Sequence, residues 1–364
     1  MTRSTSPVAA ATHERRPWFG ALLVVALVVL AAASLTIGPA QNLSAADVWR
    51  GVVAATGLGE PLSPSLQVVV ETRIERLLLT IAVGAGLALS GGLMQGVFRN
   101  DLASPGLLGV TSGASLGASL AIIGLGGAGP LAALQAQGLG ASTAVGVAAF
   151  IGATATTALV ARLGTSDGRV SVPALLLTGI AVNAVTGGLV AAIQSFALRD
   201  YEVSLALFTW GFGTLDDRGG AQVAFVLAAV ALAALVVPFV ARELDLFAAG
   251  EDDARALGVD TTRVKWLALV AASLAAGATV AVAGQIAFVG LVVPHVVRLV
   301  ATHSHGRLLR LCLLAGPVLM LLTDVVPRAF DLGAFLRPGV ALSLFGGPFF
   351  LYLLVRERRR IATW

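Results

Sequence analysis

Residues 90–113 read Ser-Gly-Gly-Leu-Met-Gln-Gly-Val-Phe-Arg-Asn-Asp-Leu-Ala-Ser-Pro-Gly-Leu-Leu-Gly-Val-Thr-Ser-Gly. An apolar run carrying glycines at 91, 92 and 96 stops at Phe98, and Arg99-Asn100-Asp101 is too polar to remain in hydrocarbon. Pro105-Gly106 then interrupts the backbone before apolar sequence resumes. The flanking runs, 74–97 and 106–126, each reach the roughly 20 residues that cross a bilayer as a helix. The stretch therefore reads as two membrane spans joined by a short irregular connection.

The whole chain continues that pattern. Of 364 residues, 57% are apolar and only 12% charged, with mean hydropathy +0.89. That leaves too little polar surface for a water-soluble body of this length. Disorder, a collagen-like fibre and nucleic-acid binding are excluded. The 42 glycines lie inside apolar stretches, as in closely packed membrane helices. Cys312 is the single cysteine, so no disulfide or cysteine-ligated cluster forms within one chain.

Ten spans are expected: 18–38, 74–97, 106–126, 139–162, 173–197, 220–241, 264–284, 288–302, 308–326 and 339–355. The eighth is short and contains Pro294, the mark of a broken helix. With the amino terminus inside, seventeen of the 24 Lys and Arg residues fall on the inner side, which predicts both termini in the cytoplasm. On this division residues 1–17 are a cytoplasmic tail, 18–356 the transmembrane domain and 357–364 a basic cytoplasmic tail. The first apolar run, about 20 residues, is longer than a signal-peptide core and reads as a retained span. Ser44 to Trp49 reads as an N-capped amphipathic helix on the outer surface. A weak echo links residues 84–91 of the second span to 276–284 of the seventh. These two run in opposite senses, so the echo suggests an inverted repeat.

Three segments are unlike membrane filler: 98–106, 249–259 and 284–295. The second, a cytoplasmic loop at about 243–262, reads as a short helix with acids in its first turn and Gly258 as its stop. Arg73 and Arg76 share a helical face on the side that arginine avoids. Together with Arg328 they call for an anionic partner, or else snorkel or pair with Glu71, Glu75 and Asp324. Asn183 and Thr186 share a face of the fifth span, suiting a wet pathway or an interhelical hydrogen bond. Asp324 can bond Arg328 at i, i+4. His303 and His305, two apart in a polar loop, make a poor metal site, and no metal is expected. No Walker lysine motif or catalytic constellation is present, so the chain is expected not to be an enzyme.

In Arg73-Ile74-Glu75-Arg76, the 90–113 stretch, Gly250-Glu251 with Ala254, Leu257 and Gly258, Phe288 to His295, and Gly346-Gly347-Pro348-Phe349, the sequence resembles the permease subunits of type II ABC importers, the FecCD family. These take up ferric siderophores, haem and cobalamin. The resemblance implies an all-α, ten-helix subunit that forms a homodimer in the cytoplasmic (inner) membrane of a bacterium, with a central pathway. Two ABC ATPase subunits bind ATP and Mg, and a periplasmic or surface-tethered binding protein delivers cargo. The chain itself holds no cofactor. Gly250, Glu251, Ala254, Leu257 and Gly258 match the coupling helix in the ATPase cleft, Asn100 and Leu102 a cytoplasmic gate, and Arg73, Arg76 and Arg328 arginines that dock the binding protein. Where the family has Pro between the first two arginines, this chain has Glu75. An ion-coupled secondary transporter is the rival class, with Asp324 its one candidate carboxylate. Among cargoes, iron chelates including haem rank above cobalamin from the breadth of the family.

Overall fold

The computed structural model describes residues 17–361, apart from 39–43, 56–62, 127–139, 167–168, 217, 248–249 and 334. Most of the amino-terminal tail and the last three residues thus lie outside the described residues. Thirteen α-helices are described: α1 Pro17–Thr36, α2 Ala45–Ala55, α3 Pro64–Phe98, α4 Val110–Gly126, α5 Ala141–Leu163, α6 Val172–Ala197, α7 Tyr201–Gly211, α8 Gly220–Phe247, α9 Glu251–Ala256, α10 Thr261–Ala283, α11 Val289–Val300, α12 His305–Ala329 and α13 Pro338–Ile361. A 3₁₀ turn covers Pro105–Leu108, and Thr165–Ser166 pairs antiparallel with Arg169–Val170 in a two-residue ladder.

Each of the ten expected spans is a helix. Seven are long and apolar enough to cross a membrane, and α4, α11 and α13 contribute shorter apolar segments. The boundaries differ instructively. The Glu71–Arg76 charge cluster marked the second span as starting near 74, yet α3 starts at Pro64, where proline suits the first helical turn. At 35 residues α3 is about 52 Å long, against roughly 30 Å of hydrocarbon. Its charged opening turns therefore project beyond the apolar layer, where charge no longer stops a helix. At the far end, α13 continues through Arg356 to Ile361, so the basic segment begins as helix rather than as a separate tail.

Helix α2 carries the expected cap. Ser44 Oγ accepts from the Asp47 amide at 3.1 Å, and Asp47 Oδ2 accepts in return from the Ser44 amide at 3.1 Å, a reciprocal box. The sequence reading passed over α7. Its signal is Asp200, whose Oδ1 accepts from the Glu202 and Val203 amides at 3.0 and 3.2 Å.

The core is built on α3 and α10, the two most buried spans. Gly86 abuts Thr279, and Ser90 Oγ donates to the Ala272 carbonyl at 2.6 Å, so the two helices run antiparallel, the relation an inverted repeat requires. Each leads into irregular backbone and then a shorter helix: residues 99–109 before α4, and Gly284 to Phe288 before α11. Phe288 adopts φ 67° to start α11, whose 12 residues span about 18 Å. The eighth span is therefore short, but Pro294 does not break it: α11 runs through Pro294, and the irregular backbone is the Gly284–Phe288 stretch before it. Such backbone survives at membrane depth only when buried in protein or lining a cavity. Both conditions are met here. Gly290 packs on Gly91 so closely that a Cβ at Gly91 would overlap the Gly290 carbonyl, and the two irregular stretches enclose a cavity of about 360 Å3 lined by Ser104, Pro105, Thr111, Gln285 and Phe288.

Candidate functional site: gate loop, coupling helix and arginine rim

At one end of the bundle, Arg73 and Arg328 close the carboxyl terminus of α1, with Arg76 beside them. The last carbonyls of a helix have no partner within it and carry partial negative charge. Arg73 Nη1 donates to the Leu35 and Thr36 carbonyls, both at 2.9 Å. Arg328 Nη1 donates to Ile37 O at 2.8 Å, and its Nη2 donates to Ser34 Oγ at 2.9 Å and to Asp324. Arg76 donates to Asp324 from Nη2 at 2.7 Å, and to Asp216 from Nη1. The acids bonded to Arg76 and Arg328 thus come from α12 and from the α7–α8 connection. Of the three acids the sequence suggested, Asp324 is a partner and Glu71 and Glu75 are not; Glu71 accepts from Gln67 instead. Burial works against ionisation of Asp216, but the Arg76 guanidinium and the Thr214 hydroxyl outweigh it and hold that carboxyl below the usual range. Arg73 and Arg328 are buried, and Arg76 keeps only a narrow exposed edge.

At the opposite end lies the 99–104 loop. Arg99 takes φ 50°, the left-handed turn that ends α3, and donates its amide to the Gln95 and Gly96 carbonyls. Asn100 Oδ1 accepts from the Leu102 amide at 2.9 Å, and Asn100 O accepts from the Ala103 amide at 3.0 Å, folding the loop on itself. Asn100 and Leu102 are consequently exposed at the tip.

The same end carries α9, mounted rigidly. Gly250 stands at φ 149°, a conformation that an L side chain resists, so glycine is required at the turn out of α8. Glu251 Oε2 accepts from Lys265 Nζ at 2.7 Å, and its Oε1 accepts from Arg255 at 2.7 Å. Lys265, the chain's one lysine, also donates to the Val170 carbonyl at 3.1 Å, joining α9, α10 and the small ladder. Burial of Glu251 opposes its charge, but the Lys265 hydrogen bond and the Lys265 and Arg255 charges hold its carboxyl below the usual range. Ala254 is fully buried beneath the helix, whereas Leu257 projects with 69% exposure beside Gly258 at φ 86°. The five matched residues thus divide into a mount and a protruding tip. The sequence reading missed Lys265, although a solitary lysine entering an apolar helix was a visible signal.

In α6, Asn183 Nδ2 donates to the Gly106 carbonyl at 2.9 Å, and its Oδ1 accepts from Ser112 Oγ at 2.6 Å. It stitches α6 to the re-entering segment after the gate loop. Thr186 donates to its own helix at Val182 O, 2.7 Å. Among the described residues, no cluster of three or more His, Cys, Asp or Glu side chains could hold a metal ion. His305 instead bonds Asp245.

Antiparallel apolar helices that lead into buried irregular backbone, with a rigid protruding helix and a loop at one end and an arginine rim bonded to its own acids and carbonyls at the other, define a polytopic membrane permease. The chain belongs to the FecCD transport family, whose model matches residues 25–356. It is 35% identical to the hemin transport system permease protein HmuU of Yersinia pestis, over 93% of this chain and 95% of that one. It is 39% identical to the cobalamin import system permease BtuC of Halobacterium salinarum, over 80% and 74%. It is also 33% identical to the iron(3+)-hydroxamate import permease FhuB of Bacillus subtilis, over 87% and 79%. A solved inward-facing ABC transporter, assigned to the metal-chelate type, superposes with a TM-score of 0.76 at 28% identity, covering 93% of this chain and 99% of that one. The protein is therefore a membrane-embedded permease subunit of an ABC importer and not an enzyme, ATP hydrolysis residing in separate chains.

Proposed function

We propose that two copies of this chain form the pathway by which a bulky metal chelate, a ferric siderophore or haem ahead of cobalamin, enters the cytoplasm. Two ATPase subunits, which bind ATP and Mg, grip α9 through Gly250, Glu251, Ala254, Leu257 and Gly258. The loop at Asn100 and Leu102 closes the cytoplasmic side, and α6 with Asn183 and Thr186 lines part of the path. Both termini lie in the cytoplasm of the bacterial cell, in keeping with the arginine distribution. A binding protein outside the membrane docks at the arginine rim. Because Asp324 already neutralises Arg328 and shares Arg76, Arg76 is the one poised to exchange its exposed partner Asp216 for a carboxylate of the binding protein.

The observation that carries this reading is the mounting of α9. A six-residue helix fixed through Glu251 and Lys265, with an apolar side chain held out at its tip, is built to transmit force from another protein. The cargo class follows from the relatives, whose names are those of hemin, cobalamin and iron(3+)-hydroxamate permeases. Ion-coupled transport is disfavoured because Asp324, the one candidate carboxylate, is held by two arginines. The test is uptake by vesicles holding the permease, its ATPase and its binding protein, offered hydroxamate and catecholate ferric chelates, haem and cobalamin. ATP-dependent uptake of an iron chelate or haem is expected. Uptake that persists without the ATPase and collapses with an ionophore would overturn the proposal.

A further inference from the structure

The gate loop is not held by its own residues alone. Between Asn100 and Leu102 stands Asp101, whose Oδ1 lies 3.2 Å from Nη1 of Arg298, a buried arginine in the last turn of α11. The same Arg298 nitrogen donates to Gln95 Oε1 in the last turns of α3. Gln95 is itself a junction, because its carbonyl accepts from the Asn100 amide at 3.2 Å. Arg298 thus grips the loop at Asp101 and also the residue on which the loop is hung.

Arg298 is tied in turn to the coupling arm. Four residues separate α11 from α12, and the first turn of α12 is fastened to α8 by Asp245. That carboxylate accepts from Ser304 Oγ at 2.9 Å and from the His305 amide at 2.7 Å, with His305 Nδ1 also at 2.7 Å. Asp245 lies five residues before Gly250, where α8 turns into α9. His305 packs over α3 so closely that a Cβ at Gly96 would sit 3.0 Å from its Nε2. Polar contacts thus fasten the α11–α12 corner to the root of α9 at Asp245 and fasten Arg298 to the loop, and the short backbone from Arg298 to Ser304, folded by the Thr302 amide on the Val297 carbonyl at 3.2 Å, joins the two.

We propose that Arg298 is the latch of the cytoplasmic gate: it positions the Asn100–Leu102 loop through Asp101 and Gln95, and movement of α9 reaches it through Asp245 and the α11–α12 corner. This rests on reading that loop as the gate and α9 as the coupling helix. A guanidinium suits the role, since a single Nη carries two hydrogens and so serves two acceptors at once, and the group retains its charge when buried. Arg298 is a positioning residue that acts through Asp101 and Gln95.

The test uses the full transporter with its ATPase and binding protein in vesicles, carrying Leu102→Cys as a reporter. The native Cys312 is buried, so the introduced thiol is the reactive one. Labelling by a water-soluble thiol reagent is followed without nucleotide and with ATP plus vanadate. In the protected state, Asp101→Asn and Arg298→Gln should each speed labelling about tenfold, in the range of ordinary coupling between linked sites. The double variant should be no faster than Arg298→Gln alone, because both changes remove one contact. Arg298→Lys should recover part of the protection. Asp101 lies on an exposed loop, so Asp101→Asn keeps the test decisive if Arg298→Gln does not fold. Nucleotide-dependent labelling that neither variant alters, or additive effects in the double variant, would overturn the latch while leaving the gate in place. Labelling insensitive to nucleotide in the Leu102→Cys parent would overturn the gate reading and the latch with it.

Discussion

Asp324 shows how one residue organises an entire face. Its carboxylate is almost fully buried and is shared by Arg76 and Arg328, which also bind the end of α1 and the α7–α8 connection. Removing one member of a buried ionic group leaves the others uncompensated, typically at about 3–5 kcal/mol. Asp324→Ala is therefore expected to lower the unfolding temperature of the detergent-solubilised permease clearly, whereas Asp216→Ala, at an exposed position, should leave it nearly unchanged. Thermal denaturation of the two variants side by side checks this, and equal shifts would contradict it. Of this cluster, the Asp324–Arg328 bond was legible from i, i+4 spacing. The Arg76–Asp324 bond joins residues 248 positions apart, and local spacing carries no information about such a pair.

At the scale of elements, α9 behaves as a lever whose mount and tip are separable. Leu257→Asp places a charge at the exposed tip without touching the Glu251–Lys265 bond, so it should abolish ATP-driven uptake while leaving thermal stability within about 0.5 kcal/mol, as for ordinary surface changes. Uptake by vesicles and unfolding in detergent distinguish the two effects; normal uptake would remove α9 from the coupling role. The mount is pH-dependent in a defined direction. The folded carboxyl of Glu251 is lowered, so its contribution is fully present above the ordinary glutamate value near ~4.3 and is lost as pH falls through the lowered value. The stability difference between wild type and Glu251→Gln should accordingly stay constant from about pH 8 to 5 and shrink only in stronger acid. A difference that faded near neutrality would show that another group controls the mount. The sequence made α9 readable through its acids and Gly258, but α7 was missed. That helix is capped by a single aspartate and is too short to display an apolar period.

At the scale of the molecule, a single subunit buries α3 and α10 among its other helices, so the centre of one bundle is filled rather than open. The cavity between the irregular segments, of about 360 Å3, is at the lower edge of the ~300–1,000 Å3 expected of a small-ligand pocket. A wide path for a bulky chelate is accordingly expected between two copies. Cysteines at Asn100 or Leu102 should crosslink the copies in a nucleotide-dependent way and trap cargo before release. Efficient uptake with the crosslink intact would move the path away from the dimer axis.

The sequence by itself determined the medium, the number and order of apolar segments, the helix at 251–256 and the irregular connection after Phe98. These depend on composition, on 20-residue windows and on the local chemistry of proline, glycine and helix caps, all of which act within a few turns of chain. Tertiary structure alone decided which charges meet. Arg76 meets Asp324 where α3 packs on α12 through Gly84 and Gly316, Arg298 meets Asp101 where α3 packs on α11 through Gly91 and Gly290, and Asp245 meets His305 where α8 reaches the start of α12. Whether a buried arginine is a docking group, a helix cap or a latch depends on the carboxylate or carbonyl within 3 Å of it, and packing across hundreds of residues chooses that partner.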